Sequence, residues 1–87
     1  MGAPTEIKVL GSGCAKCKKL LAEAKQAALQ SGKPVSVVKV EDVQVIMAHG
    51  VRQTPALVID GQVRSTGRIP GADEIVAWIG QAERASG

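Results

Sequence analysis

The chain has few aromatic residues and few cysteines. Trp78 is the single aromatic residue among 87, and Cys14 and Cys17 are the two cysteines. A protein without a set of aromatic side chains lacks the platforms on which single-stranded bases stack. The net charge of +3 is small, and a balance of this size usually reflects solvation alone. We therefore expect no nucleic-acid partner.

The sequence also lacks long apolar runs. No stretch approaches the roughly 18 apolar residues of a membrane span, and Met1 to Thr5 does not resemble the start of a secretory signal. We therefore expect a cytoplasmic protein that does not contact membranes. In that compartment thiols are mostly kept reduced, so a purely structural disulfide is uncommon.

Length and composition predict one small domain. The 87 residues are 45% hydrophobic, almost all of it aliphatic, which is enough to bury a core without covalent staples. We assign residues 1–87 to a single domain with its ordered core at about residues 5–80.

The hydrophobic pattern predicts strand, helix, strand, helix, strand, strand, helix. Short β-branched or apolar runs give the strands, and Asp60-Gly61 is a strong hairpin signal between the last two. The first two strands are joined by a helix and should be parallel. This is an α/β domain with a mixed four-stranded sheet and three helices. The predicted strands are Ile7 to Leu10, Val35 to Val40, Ala56 to Ile59 and Gln62 to Ser65.

Each predicted helix has an apolar face and an end signal. The first starts at the cysteines and closes at Ser31-Gly32-Lys33-Pro34; the second follows the cap Asp42 and stops at Gly50; the third weakens near Gly80. The predicted apolar faces are Cys14, Cys17, Leu20, Leu21, Ala24, Ala27 and Ala28 in the first helix, Val43, Ile46 and Met47 in the second, and Ala72, Ile75, Val76, Ile79 and Ala82 in the third.

The motif Cys14-Ala15-Lys16-Cys17 is the chemically informative feature. Two intervening residues put both thiols on one side of the first helical turn. That arrangement suits a reversible disulfide and equally suits two ligands to one thiophilic metal ion. A structural staple is the weakest interpretation, because closing so short a loop contributes only about 2 kcal/mol.

Four other polar or aromatic residues have ordinary interpretations. We expect His49 to face solvent at the end of the second helix, Trp78 to pack at the core or its edge, and Arg52 and Arg68 to be surface charges. If their loops approach Cys14, the two arginines and Lys16 would form a basic rim that favours acidic partners.

Taken in order, these motifs resemble the thioredoxin fold. The residues that carry the resemblance are Cys14-Ala15-Lys16-Cys17 at a strand-to-helix junction, Thr54-Pro55 before a buried strand, and the Asp60-Gly61 hairpin ending near Gly67. The chain is most similar to the small glutaredoxin-like proteins called redox-active disulfide proteins, and the likeness spans roughly residues 5 to 80.

The resemblance implies a thiol-disulfide oxidoreductase without a cofactor or metal. It implies that Cys14 is the nucleophile, that Cys17 is the resolving thiol, and that Pro55 is a cis proline whose loop, with Thr54, receives substrate. By the same likeness Gly67 lets a neighbouring loop approach the active site. Lys16, which lies beside the cysteines in the sequence, is a further candidate substrate-binding residue. The implied partners are disulfide-containing proteins or small disulfides, together with an upstream reductase or glutathione, and we expect a monomer.

The chain departs from the family pattern within the motif. Gly13 stands where thioredoxins have tryptophan, Ala15-Lys16 stands where they have Gly-Pro, and glutaredoxins usually have an aromatic residue there. The alternative function is a soft-metal or iron-sulfur binding module built on the same two cysteines, as in small copper-chaperone domains. No methionine lies two residues before Cys14, and the Thr54-Pro55 half of the chain does not fit such a module.

Overall fold

The computed structural model describes residues 4–11 and 15–86, with side chains up to Ala82. Cys14 lies outside the described residues, as do Ser12 and Gly13. The observed elements follow the predicted order: β1 Thr5–Leu10, α1 Ala15–Ser31, β2 Val35–Val40, α2 Val43–Ala48, β3 Ala56–Ile59, β4 Gln62–Thr66 and α3 Ala72–Ser86.

The four strands form one mixed sheet in the order β2-β1-β3-β4. β1 and β2 are parallel, as predicted, while β1 with β3 and β3 with β4 are antiparallel. In the central pair Leu10, the last residue of β1, lies opposite Ala56, the first residue of β3. The start of α1, which follows β1, and the segment preceding β3 therefore lie at the same end of these two central strands.

Turn chemistry fixes the β3-β4 hairpin. Asp60 and Gly61 have φ values of +49° and +82°, which is the backbone of a two-residue type I′ turn. The backbone N–H of Glu6 donates to Asp60 Oδ1 at 2.8 Å, and the N–H of Asp60 donates to the carbonyl of Glu6 at 2.8 Å. The turn is thus tied to the central strand as well as to its own hairpin.

Two helices cover one face of the sheet. Because side chains alternate along a strand, Ile7 and Val9 of β1 point toward α1 and α3, where Glu23 Oε2 accepts the backbone N–H of Ala72 at 3.1 Å. The predicted apolar faces of the first and third helices, α1 and α3, are thereby confirmed at the described residues. This larger cluster consists of Ile7, Val9, Leu20, Ala24, Ala27, Leu57, Ile59, Ile75, Ile79 and Ala82.

Among the described helices, α2 covers the opposite face. Its smaller cluster consists of Leu10, Ile46, Val51, Ala56 and Val58. Asp42 caps the helix as predicted, its Oδ1 accepting the Gln44 N–H at 2.9 Å, and Gly50 follows the helix with a φ of +76°.

The predicted apolar face of α2 is wrong for two of its three members. Ile46 is buried, but Val43 is 62% exposed and Met47 is 68% exposed. A helix of six residues makes fewer than two turns. It therefore brings one large side chain onto the sheet and leaves the other two in solvent.

The third helix does not break at Gly80, where weakening was predicted, and it continues to Ser86. Trp78 is half-buried and packs against the larger cluster, as expected. Within the described residues, no helix has the length and apolar character needed to cross a bilayer.

Candidate functional site

Cys17 is the described member of the cysteine pair. It is the third residue of α1 and is 2% exposed. A Cβ atom placed on Gly11 would overlap Cys17 Sγ and would lie 3.7 Å from Thr54 Cβ. Gly11 at the end of β1, Cys17 in the first turn of α1 and Thr54 before β3 therefore converge at one point.

Gly11 was not among the site residues predicted from the sequence. In the structure Gly11 is buried, and its N–H donates to the Val40 carbonyl at 3.0 Å. The missing side chain is what allows the sulfur to approach the backbone. A glycine directly after a buried strand and six residues before a cysteine was the available signal.

Cys14 directly precedes the first residue of α1 in the sequence. The roles predicted for it lie outside the described residues. Lys16 is exposed at the second position of α1, so its ammonium group lies in solvent beside the buried Cys17.

Thr54 and Pro55 are joined by a cis peptide bond. Thr54 is exposed, whereas Pro55 is among the fully buried side chains, with less than 2% of its surface accessible. The surface that this loop offers to another molecule is therefore provided by Thr54 rather than by the proline ring.

Gly67 supports the Thr54-Pro55 loop from behind. Its N–H donates to the Pro55 carbonyl at 2.9 Å, and its φ is +71°. A Cβ atom at Gly67 would lie 2.5 Å from Gln53 Oε1. The close contact at Gly67 is with Gln53, a residue that was not predicted to belong to the site.

Lys39 is a second residue that sequence reasoning missed. It lies on β2 opposite Val9, on the sheet face that carries α1, and its Nζ is 2.6 Å from Glu41 Oε1. The hydrogen bond and the charge of Glu41 raise the pKa of Lys39, and Cys17 adds a smaller effect in the same direction. The sequence signal for this residue is its position: Lys39 takes the place of a valine in the alternation that points Val35 and Val37 toward α1.

Of the three basic side chains predicted to form a rim near Cys14, Arg68 is already engaged in an ion pair. Arg68 forms a two-pronged ion pair with Glu74, with nitrogen-oxygen distances of 3.3 and 2.9 Å, and its guanidinium lies 5.9 Å from the Trp78 ring centre. The hydrogen bond from Arg68 lowers the pKa of Glu74, and Glu74 raises the pKa of Arg68. The charge of Arg68 is therefore balanced locally, which leaves the exposed Arg52 and Lys16 as the basic side chains of such a rim.

Metal-ligating side chains are not clustered in the part of the chain that the structure describes. No three His, Cys, Asp or Glu side chains there are close enough to hold one ion. His49 caps the C-terminal end of α2 and is half-buried there rather than fully solvent-facing, and its Nδ1 is 2.9 Å from the Val45 carbonyl.

Comparison with known protein families shows the family to which the chain belongs. The model of the thioredoxin domain matches residues 5–80. The chain belongs to the thioredoxin family. The thioredoxin of Methanothermobacter thermautotrophicus is 30% identical over 70 residues, covering 80% of this chain and 91% of the relative. The thioredoxin of Methanocaldococcus jannaschii is 36% identical over 69 residues, covering 79% of each chain.

Solved thioredoxin structures have the same fold. Chloroplastic thioredoxin z superposes with a TM-score of 0.73 at 24% identity, covering 93% of this chain and 80% of the other. Thioredoxin-2 of the malaria parasite superposes with a TM-score of 0.72 at 14% identity, covering 93% and 85%. The predicted thioredoxin-like fold is confirmed, and it is a fold of the thiol-disulfide oxidoreductase type.

Proposed function

We propose that this protein exchanges disulfides through Cys14 and Cys17. The observation that carries the proposal is the convergence of the buried Cys17 sulfur with Gly11 and Thr54 at the start of α1. One thiol held in the first helical turn, with an exposed loop residue beside it, suits a reaction in which a bound disulfide is attacked and then released.

In this proposal Cys14 attacks first. It directly precedes α1, and the unpaired amide groups and dipole at a helix N-terminus stabilise a thiolate by about 0.3 to 1 kcal/mol. Cys17 is buried, so a client disulfide cannot reach it directly. The burial of Cys17 and the position of Cys14 just before α1 in the sequence support different roles for two chemically identical side chains.

The reaction proceeds in two exchange steps. The Cys14 thiolate bonds to one sulfur of the client disulfide, the client's sulfur-sulfur bond breaks, and the second client sulfur leaves as a thiolate that takes up a proton. Cys17, having lost its proton, then attacks Cys14 Sγ, forms the Cys14-Cys17 disulfide and expels the first client thiolate. The client gains two electrons and the cysteine pair loses two.

Substrate contacts in this proposal come from the Thr54 loop. Thr54 is the exposed residue beside Cys17, and Gly67 holds the loop through the Pro55 carbonyl. Lys16 adds a positive charge in the first turn of α1. We assign disulfide-containing proteins or small disulfides as substrates and an upstream reductase or glutathione as the electron donor, in the cytoplasm, with no cofactor.

Two single substitutions test the division of labour. Cys14→Ala should abolish reduction of insulin disulfides by dithiothreitol through the protein. Cys17→Ala should retain the first step and accumulate a mixed disulfide that is visible by non-reducing gel electrophoresis and mass spectrometry. Equal activity of both variants and the wild type would contradict a two-cysteine cycle. Stoichiometric zinc, copper or iron after mild purification, with no exchange activity, would instead favour metal binding.

A further inference from the structure

Gln53 is held in one place by its contact with Gly67. A Cβ atom built on Gly67 would lie 2.5 Å from Gln53 Oε1 and 3.4 Å from Gln53 Cβ and Cδ, so the glutamine side chain lies across the glycine backbone. The Gly67 N–H also donates to the Pro55 carbonyl at 2.9 Å, which fixes the distance between the two loops. A larger residue at position 67 would therefore displace the Gln53 side chain.

The side-chain amide of Gln53 is available to another molecule. A carboxamide offers two N–H donors and one acceptor oxygen. Gln53 is exposed, and its amide makes no hydrogen bond with any residue in the part of the chain that the structure describes. An ordinary surface glutamine loses rotamer freedom when it binds a partner, whereas contact with Gly67 already restricts Gln53. The amide is therefore preorganised for a partner from outside the chain.

Gln53 lies one residue from the place where the proposed reaction occurs. Thr54 Cβ is 3.7 Å from a Cβ atom built on Gly11, and that atom in turn overlaps the Cys17 sulfur. Consecutive Cα atoms are about 3.8 Å apart, and an extended chain advances about 3.3 to 3.6 Å per residue. A client whose disulfide lies against Thr54 therefore brings a peptide group next to its own cysteine within reach of the Gln53 amide.

We propose that the Gln53 amide binds a peptide group adjacent to the disulfide cysteine of the client, and that it thereby favours peptide and protein disulfides over small disulfides without amide groups. The inference rests on the proposed exchange function and specifies its substrate class. The Gln53 N–H donates to a client carbonyl, and Oε1 accepts a client N–H. Both groups occur at every residue of a polypeptide except proline, so the contact selects a peptide backbone and not a particular side chain.

The neutrality of Gln53 separates its contribution from that of its basic neighbours. Arg52 and Lys16 are exposed, and their attraction for acidic clients weakens as salt screens the charges. A hydrogen bond between two neutral amides is not screened in this way. The preference due to Gln53 should therefore be similar at about 0.05 M and about 1 M sodium chloride.

Single-turnover oxidation of the reduced protein, quenched with N-ethylmaleimide and followed by mass spectrometry, tests the proposal. The probes are the symmetric disulfide of the peptide Ala-Ala-Cys-Ala-Ala, the same peptide N-methylated at the cysteine and at the residue after it, and hydroxyethyl disulfide, which has no amide. The variant is Gln53→Met, which keeps a side chain of the same length on Gly67 but has no amide. The matched control is Gln62→Met, which changes another exposed glutamine.

Gln53→Met should lower the second-order rate constant for the unmethylated peptide by about tenfold, the loss expected for one or two neutral hydrogen bonds. It should affect the methylated peptide less and leave hydroxyethyl disulfide unchanged, while Gln62→Met should match the wild type with every probe. Equal slowing with all the probes would show that Gln53 acts through packing and would overturn the proposal, as would a Gln53→Met variant that matches the wild type with the peptide. A wild type that no probe oxidises would contradict the proposed function itself.

Discussion

The two faces of the sheet are covered very unequally. On one face α1 and α3, 17 and 15 residues long, enclose a cluster of ten buried side chains. On the other face the six-residue α2 encloses five. The candidate site draws on both, because Cys17 comes from α1 and the Thr54 loop follows α2. Cys17 is thus held in the well-packed layer of α1 and α3. Thr54 instead lies in the loop that follows α2, the helix of the sparsely packed layer.

The largest effect that follows from this comparison is on stability. Leu20 is fully buried in the ten-residue cluster, whereas Ile46 is 7% exposed in the smaller one. Leu20→Ala should lower the free energy of unfolding by about 4 kcal/mol and Ile46→Ala by about 2 kcal/mol, the upper and lower parts of the range for such truncations. Urea denaturation followed by far-ultraviolet circular dichroism measures both. Equal losses would mean that the two faces contribute alike.

An intermediate effect is expected at the junction of the two layers. Gly11→Ala places a methyl group on the Cys17 sulfur, and such overpacking typically costs about 1 to 3 kcal/mol. Exchange activity should fall as well, because Cys17 and Thr54 would have to separate. Gly71→Ala is the matched control, since no atom lies within 4 Å of the added group. If Gly11→Ala were as stable and active as Gly71→Ala, the close approach of Gly11 to the sulfur would be unimportant.

The sequence alone predicted the well-packed face better than the sparse one. The apolar repeats of α1 and α3 persist over several turns. The repeats therefore predicted the buried faces correctly, including Leu20 and Ile79. In α2 the same spacing selected Val43 and Met47, which are exposed. Periodicity identifies one side of a helix, but it does not reveal how much of that side the neighbouring layer covers.

The candidate site was predictable in its residue types and less so in its contacts. The order of Cys17 and Thr54-Pro55 along the chain was enough to bring them together once the fold was known. The contacts of Gly11 with Cys17 and of Gly67 with Gln53 depend on the packing of chain segments far apart in sequence. Lys39 likewise becomes relevant only when β2 is placed beside β1 under α1.

The smallest effect concerns the ion pair that fastens the loop before α3 to the well-packed face. Arg68 lowers the pKa of Glu74 below its ordinary 4.5, so the pair stabilises the fold above that pH and the stabilisation disappears as pH falls through the lowered pKa. Glu74→Gln should therefore be slightly less stable than the wild type at pH 7 and equal to it at a pH low enough to protonate Glu74, with a difference at pH 7 that shrinks in high salt. Thermal denaturation across this pH range measures the change, and Asp73→Asn, which removes a neighbouring charge of the same helical turn, is the control. A deficit in Glu74→Gln that persists unchanged at a pH where Glu74 is protonated would show that the side chain acts through packing rather than through its charge.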